Sequence, residues 1–215
     1  MTEKFSRFDY KFHDTYDTVP KMLVLDLETT GLRVGEGDRI LEVGMVAFNQ
    51  DFHPISEFQC LVNGFAERRR WNEVRFAAED GDEGAKIVVD MHERSGLAKA
   101  IENGDGNPIG EVQDAMIEWA NDVGVAGLPI TGSNAKFDRK FLEAFAPTFD
   151  EHTMHYRSID VSSIKEWLRA FFPSHYTGAR AKLNPSSSHR AVADCYDTRN
   201  ELREYTQLLR NSLVF

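Results

Sequence analysis

The chain has 215 residues, about one domain's length, and its 41% hydrophobic content is enough to bury a full core. Lys and Arg number 25 against 35 Asp and Glu, a formal net charge of −10 that argues against holding nucleic acid by broad electrostatic attraction. No apolar run approaches the ~18 residues of a membrane span. Acid clusters that hold metal ions stay compatible with the charge, because a bound cation inverts the local sign.

Residues 1–20 read as a polar, aromatic-spotted N-terminal extension without the continuous apolar stretch of a signal peptide, and residues 21–215 as a single domain. Residues 21–32, KMLVLDLETTGL, read as a strand ending in a Thr-Thr-Gly turn. Residues 38–62 hold two further strands around a turn at 49–54, so three successive strands form a meander. Residues 63–89 lack clear period, crowd charges at Arg68, Arg69 and Arg70, and read as an irregular or partly helical insertion. Those arginines are either a solvated face or extra contacts for backbone phosphates.

Residues 110–123 carry Val112, Met116, Trp119 and Ala120 on one helical stripe. A short buried strand at 128–131 precedes a helix from about Ala135, with Phe137, Phe141, Leu142 and Phe145. A strand at 157–161 leads to a helix at 162–172 stopped by Pro173, and Phe141, Phe145, Trp167 and Phe171 are expected in the core. A loop with Gly178 and Pro185 then enters a last helix at about 189–209. This order predicts an α/β fold around one mixed sheet of five strands flanked by helices. Cys60 and Cys195 make neither a disulfide framework nor a zinc site; both are expected as small buried hydrophobes of an intracellular, cytoplasmic chain.

Asp26 and Glu28 stand two apart at the C-terminal end of an apolar strand, so period-2 geometry turns both carboxylates to one face. Such a pair resists ionisation unless a cation joins it, and hard oxygen ligands suit Mg²⁺ or Mn²⁺. The alternative is one acid capping the turn and one solvated. Asp138 falls in the first turn of its helix, where an acid is also favourable against the helix dipole. His189 and Asp194 lie five apart in SSSHRAVADCYDTRNELREY, whose serines are candidate N-caps. Asp197 and Glu201 read as solvated acids within reach of Arg190 or Arg203. Asp160 reads as a cap for the helix after it.

Taken in order, D-L-E-T-T-G, N-x-x-F-D and H-x-A-x-x-D resemble the three exonuclease motifs of the DEDDh branch of the DnaQ-like, or RNase H-like, 3'-5' exonucleases. VDMHERSGL, GSNAKFDRKFL, HYRSIDVSSIKEWLR and SSHRAVADCYDTRNELREY extend the likeness to the oligoribonuclease family over roughly residues 22–209. The resemblance implies two divalent ions held by Asp26, Glu28, Asp138 and Asp194, with His189 as general base. It implies single-stranded RNA (or DNA) 3' ends as substrate, with nucleoside 5'-monophosphates as products, and a homodimer.

The same resemblance puts Leu32, His92 and Ser95 beside the terminal nucleotide, and Asn134 at the second motif. Tyr156 and Arg157 match a pair that reaches across the dimer, with Ser162 at the 5'-phosphate of a dinucleotide. Two segments depart from the family. Ile87 stands where a base-packing tryptophan is expected, with Trp71 sixteen residues upstream, and Lys136 and Phe137 replace small and amide residues. Three functions stay open at this point: an exonuclease of short RNA, a DnaQ-like 3'-5' DNA exonuclease, and a non-catalytic nucleic-acid-binding protein.

Overall fold

Six strands organise the computed structural model, which describes residues 9–14, 18–186 and 188–212. They are β1 (Asp9–Phe12), β2 (Met22–Thr29), β3 (Ile40–Phe48), β4 (Pro54–Leu61), β5 (Pro129–Gly132) and β6 (His155–Asp160), in the order β1-β4-β3-β2-β5-β6. The β2-β3-β4 meander is antiparallel, whereas β5 and β6 add in parallel, which requires the helical crossovers between them. Strand β1 is the one strand beyond the five expected. It comes from the N-terminal extension and pairs antiparallel with β4, so Tyr10 packs its ring on Phe58. Residues 1–8 and 15–17 of that extension, Ser187 and residues 213–215 lie outside the described residues.

Helices cover both faces, so the central strands are apolar throughout rather than alternating. On one face Leu23, Leu25 and Leu27 of β2 meet Val112, Met116 and Trp119 of α4 (Ile109–Val123) and Phe141 and Leu142 of α5 (Ala135–Phe145). Trp119 is buried, and its indole N–H finds Ser56 Oγ at 3.0 Å. On the other face Met22 and Val24 meet Cys195 of α8 (Ala191–Ser212). The period of two therefore sends Asp26 and Glu28 to the α8 face, one and two steps beyond Val24.

Helix α8 lies close on that face. Gly44 is the register partner of Asp26, and a Cβ there would stand 2.5 Å from the Ala191 carbonyl carbon and 2.6 Å from the Val192 nitrogen. Both cysteines are free and buried, and the Cys195 thiol points to the Gly44 carbonyl at 3.4 Å.

Residues 63–89 take the helical alternative, and more fully than expected. They form α1 (Phe65–Glu79) and most of α2 (Glu83–Arg94), the latter capped by Asp82 accepting the Ala85 N–H at 2.8 Å. The pattern was obscure because α1 buries little besides Glu67, Trp71 and Val74 and is otherwise a charged face. Arg69 and Arg70 bind Glu73, Arg70 also binds Asp38, and Arg68 donates to the Asn63 carbonyl, which matches the solvated-face alternative. A short α3 (Leu97–Glu102) and a π turn at Thr148–Thr153 had no distinct sequence signal.

Helix α6 (Val161–Phe171) is capped by Asp160 accepting the Ser163 N–H, as expected, but Trp167 and Phe171 are exposed, not core. Their helical spacing specifies a common face, not what covers it. Pro173 starts α7 (Pro173–Arg180), so Gly178 is helical and the loop to α8 is shorter than expected. Among the described residues no helix is long and apolar enough to cross a membrane.

Gly44→Ala should force backbone against backbone, with no flexible side chain to yield, and lower stability by ~1–3 kcal/mol. Gly35→Ala meets nothing within 4 Å and is the control, expected within ~0.5 kcal/mol of the parent. Thermal melts of the two variants check this, and equal melting temperatures would contradict it.

Candidate active site

The site forms where the C-terminal end of β2 meets the first turn of α8. One carboxylate oxygen each from Asp26, Glu28 and Asp194 lies within 4.8 Å of the others. Asp138, buried in the first turn of α5, accepts backbone N–H groups, its own and that of Leu27, and its charge bears on Asp26. His189 does not open the last helix as expected; α8 starts at Ala191, and His189 sits in the preceding turn, exposed, with φ +46°. It lines a cleft of about 380 Å³ with Asp26, Asp194, Ser133 and Arg180. All five expected residues thus gather at one end of the sheet, although they come from three separate segments of chain.

The described serines ahead of α8 do not provide its cap. Ser188 N–H donates to Ser186 Oγ, and the Ala191 N–H is instead taken by Glu42 at 3.1 Å. Arg190 likewise pairs with Glu42 and not with Asp197 or Glu201. Asp197 accepts the Ser186 N–H, while Glu201 is buried, accepting from Tyr205 and pairing with Lys165. Glu42 is the functional-site residue that the motif reading missed. Its signal was a lone acid inside the apolar run ILEVGMVAF, a position that needs an internal partner.

Burial holds the carboxyls of Asp26, Glu28, Asp138 and Asp194 above their ordinary range. Glu28 is pushed up to about 8, by burial first and then by the charges of Asp194 and Glu42. Asp194 rises to about 6 and Asp138 to about 7, again mainly through burial. Asp26 rises well above the carboxylate range through burial and the charges of Asp138, Asp194 and Glu28. Glu28 and Asp194 are hydrogen-bonded to each other, and the directions make Glu28 the donor. Carboxylates this close and this buried repel one another unless a proton or a cation lies between them. A set of hard carboxylate oxygens that resists ionisation in this way fits a divalent ion such as Mg²⁺ or Mn²⁺.

The residues expected at the substrate divide by position. His92 is fully buried on α2; its Nε2 lies 2.8 Å from the Thr29 carbonyl and its Nδ1 3.9 Å from Glu28. It braces the end of β2 from below. Trp71 packs edge-on against it and is itself buried, so it is a core residue and offers no surface to a base, while Ile87 is exposed. Ser95 bonds within the α2–α3 turn, to the His92 carbonyl. Leu32 is exposed on the turn after β2, and Asn134 is exposed with φ +110° just ahead of α5. Ser162 faces Ser133 at 3.4 Å. Tyr156 is 72% exposed on β6, stacked on His155 and under the Arg157 guanidinium, and neither Tyr156 nor Arg157 lines this chain's cleft.

A mixed sheet with acids at the end of its central strand is the architecture of an exonuclease domain, and the exonuclease family model (RNase T) matches residues 23–69. The oligoribonuclease of Bordetella pertussis is 31% identical over 197 residues, covering 88% of this chain and 95% of that protein. The oligoribonuclease of Rhodococcus jostii is 31% identical over 86% of this chain and 85% of its own, and the human mitochondrial oligoribonuclease 30% over 86% and 71%. Among solved structures, Escherichia coli exonuclease I in complex with a dT13 oligonucleotide superposes with a TM-score of 0.56 at 15% identity. That match covers 88% of this chain but only 42% of exonuclease I, and it shows the shared fold. The protein is a 3'-5' exonuclease, a hydrolase of the DnaQ-like, RNase H-like class. The chain belongs to the oligoribonuclease family.

The raised carboxyl pKa values carry a pH dependence. A carboxyl whose folded pKa exceeds its unfolded value stabilises the fold below the unfolded pKa and loses that contribution as pH rises through the folded one. With Asp138 near 7 and Glu28 near 8, the metal-free protein should lose stability between pH 6.5 and 9. Thermal melts in EDTA are expected to fall by roughly 5 °C over that interval, and Mg²⁺ should raise the melting temperature more at pH 8.5 than at pH 6.5. A flat EDTA profile would contradict the assignment.

Proposed function

We propose that the protein is a metal-dependent 3'-5' exoribonuclease that degrades short RNA to nucleoside 5'-monophosphates, working in the cytoplasm, whose reducing conditions suit its two free cysteines. The observation that carries this reading is the trio of carboxylate oxygens within 4.8 Å, two of whose residues, Asp26 and Asp194, line the same cleft as His189. Oligoribonuclease names on relatives that align along most of the chain support RNA as the substrate.

Asp26, Glu28, Asp138 and Asp194 would hold two divalent ions, Mg²⁺ or Mn²⁺. Bound there, such ions supply Lewis acidity toward a phosphodiester and charge neutralisation for the leaving 3'-oxygen. The protein's own contribution is proton handling and orientation. His189, exposed on a turn at the rim, takes the proton of the attacking water, a task that suits an imidazole. Thr29 and the β2 end keep Asp26 and Glu28 in register, with His92 braced beneath. Leu32, Ser95 and Asn134 serve the terminal nucleotide. Tyr156 and Arg157, exposed and outside the lining of their own cleft, serve the cleft of a second copy in a homodimer, with Ser162 at the 5'-phosphate.

A second reading is 3'-5' exonuclease action on single-stranded DNA, favoured by the fold shared with exonuclease I, which was solved with a dT13 oligonucleotide. Digestion of 5'-labelled RNA and DNA from two to twenty nucleotides, with Mg²⁺ or Mn²⁺ and with EDTA, separates the two. RNA of two to five nucleotides should be the preferred substrate, with no activity in EDTA. Activity that is flat in length and equal on DNA would favour the second reading. Asp26→Asn and Asp138→Asn should each lower kcat by about a thousandfold or more with the fold retained. Tyr156→Ala should lose activity but regain part of it when mixed with His189→Ala protein, because a mixed dimer rebuilds one complete cleft. No regain on mixing would remove the proposed role of Tyr156 across the dimer.

A further inference from the structure

Glu42 sits fully buried near the start of β3, directly across the register from Glu28, yet it is not one of the three clustered carboxylates. Its two oxygens are already engaged. Arg190 Nε donates to Oε1 and Oε2 at 3.1 and 3.0 Å, and Nη2 donates to Oε1 at 2.6 Å. The Ala191 N–H donates to Oε2 at 3.1 Å and Gln59 Nε2 to Oε1 at 2.7 Å. A planar fork on a carboxylate fixes direction as well as distance, which an ammonium could not do. This clamp joins positions 148 residues apart in the chain.

The residue beside the clamp is His189. Its φ of +46° is a left-handed backbone that a side chain with a Cβ adopts only when its surroundings impose it. Two anchors impose it here. On one side Ser188 N–H donates to Ser186 Oγ, and the Ser186 N–H donates to Asp197 Oδ2 on α8. On the other side Arg190 and Ala191 are fastened to Glu42. The turn between them carries an exposed imidazole on a fixed backbone.

We propose that Glu42 and Arg190 are positioning residues for His189: the buried clamp holds the turn so that the imidazole meets the water at the cleft, and neither residue touches substrate. This rests on the reading of His189 as general base. The mechanism is pre-organisation, since a base misplaced by about 1 Å forfeits roughly a hundredfold in rate. Because the Asp194 N–H also bonds the Arg190 carbonyl, the competing possibility is that the clamp acts through that acid and the metal it would hold.

A double-mutant cycle on the full chain decides between them. Arg190→Ala should lower kcat by roughly 10- to 100-fold, with KM and the Mg²⁺ half-saturation within about twofold of the parent. In the His189→Ala background, the same change should cost less than about twofold, because there is no longer a base to misplace. Arg190→Lys should recover only part of kcat, lacking the fork. Arg190 is partly exposed, so these variants carry the test if Glu42→Gln fails to fold. A full Arg190→Ala loss that persists without His189, or a raised Mg²⁺ half-saturation, overturns the clamp's action on His189 while leaving the base assignment standing. A His189→Ala enzyme within about twofold of the parent overturns the base assignment itself, and the proposal with it.

Discussion

The contact on which everything else depends is the close approach of α8 to the middle of the sheet at Gly44. It brings Asp194 beside Asp26 and Glu28, and it does so by excluding water from acids that need water or a cation. Taking even one carboxylate out of water is expensive, and like charges at this separation add repulsion. Burial pushes the pKa values of these acids up, and Asp138 accepts backbone N–H groups that partly offset the cost of its burial. Such a cluster is costly without a counter-charge, and a divalent ion would supply one. That is the physical basis for reading it as a metal centre.

Around that point the fold divides support from chemistry. The β2-β3-β4 meander supplies two acids with different fates: Glu28, clustered, and Glu42, fully committed to Arg190, Ala191 and Gln59. A buried ion pair of this kind adds little net stability over apolar residues of the same shape, but breaking it leaves an uncompensated charge. Its value lies in geometry. Small residues at Gly44, Ala191 and Cys195 admit the helix, and the clamp then fixes the angle at which its N-terminal turn leaves the sheet. The formal charge of −10 no longer weighs against a nucleic acid substrate. Part of it is concentrated in the site itself, and a short oligonucleotide has few phosphates to need a basic track.

Strands and helices with clean period were legible in advance. The run MLVLDLET could only be a strand, and Val112, Met116, Trp119 and Ala120 do share the buried face of α4. The two charged helices α1 and α2 were not legible, because their regularity is carried by ion pairs such as Arg69–Glu73 and by the Asp82 cap. Trp167 and Phe171 show the opposite failure: period placed them on one face of α6, but among the described residues they stay exposed. Strand β1 escaped notice because an edge strand of four residues has too little pattern to separate it from a tail.

By itself the sequence singled out the side chains proposed to carry the chemistry, since the spacing of Asp26 and Glu28 fixes a common face and the motifs of Asp138, His189 and Asp194 are local. Tertiary structure alone decided what surrounds them. It made His92 and Trp71 buried supports, left Tyr156 and Arg157 exposed and outside the lining of their own cleft, and set the left-handed turn at His189. Above all it joined Glu42 to Arg190 across 148 residues. Contacts of that range follow from how a helix docks on a sheet, and no local periodicity encodes them.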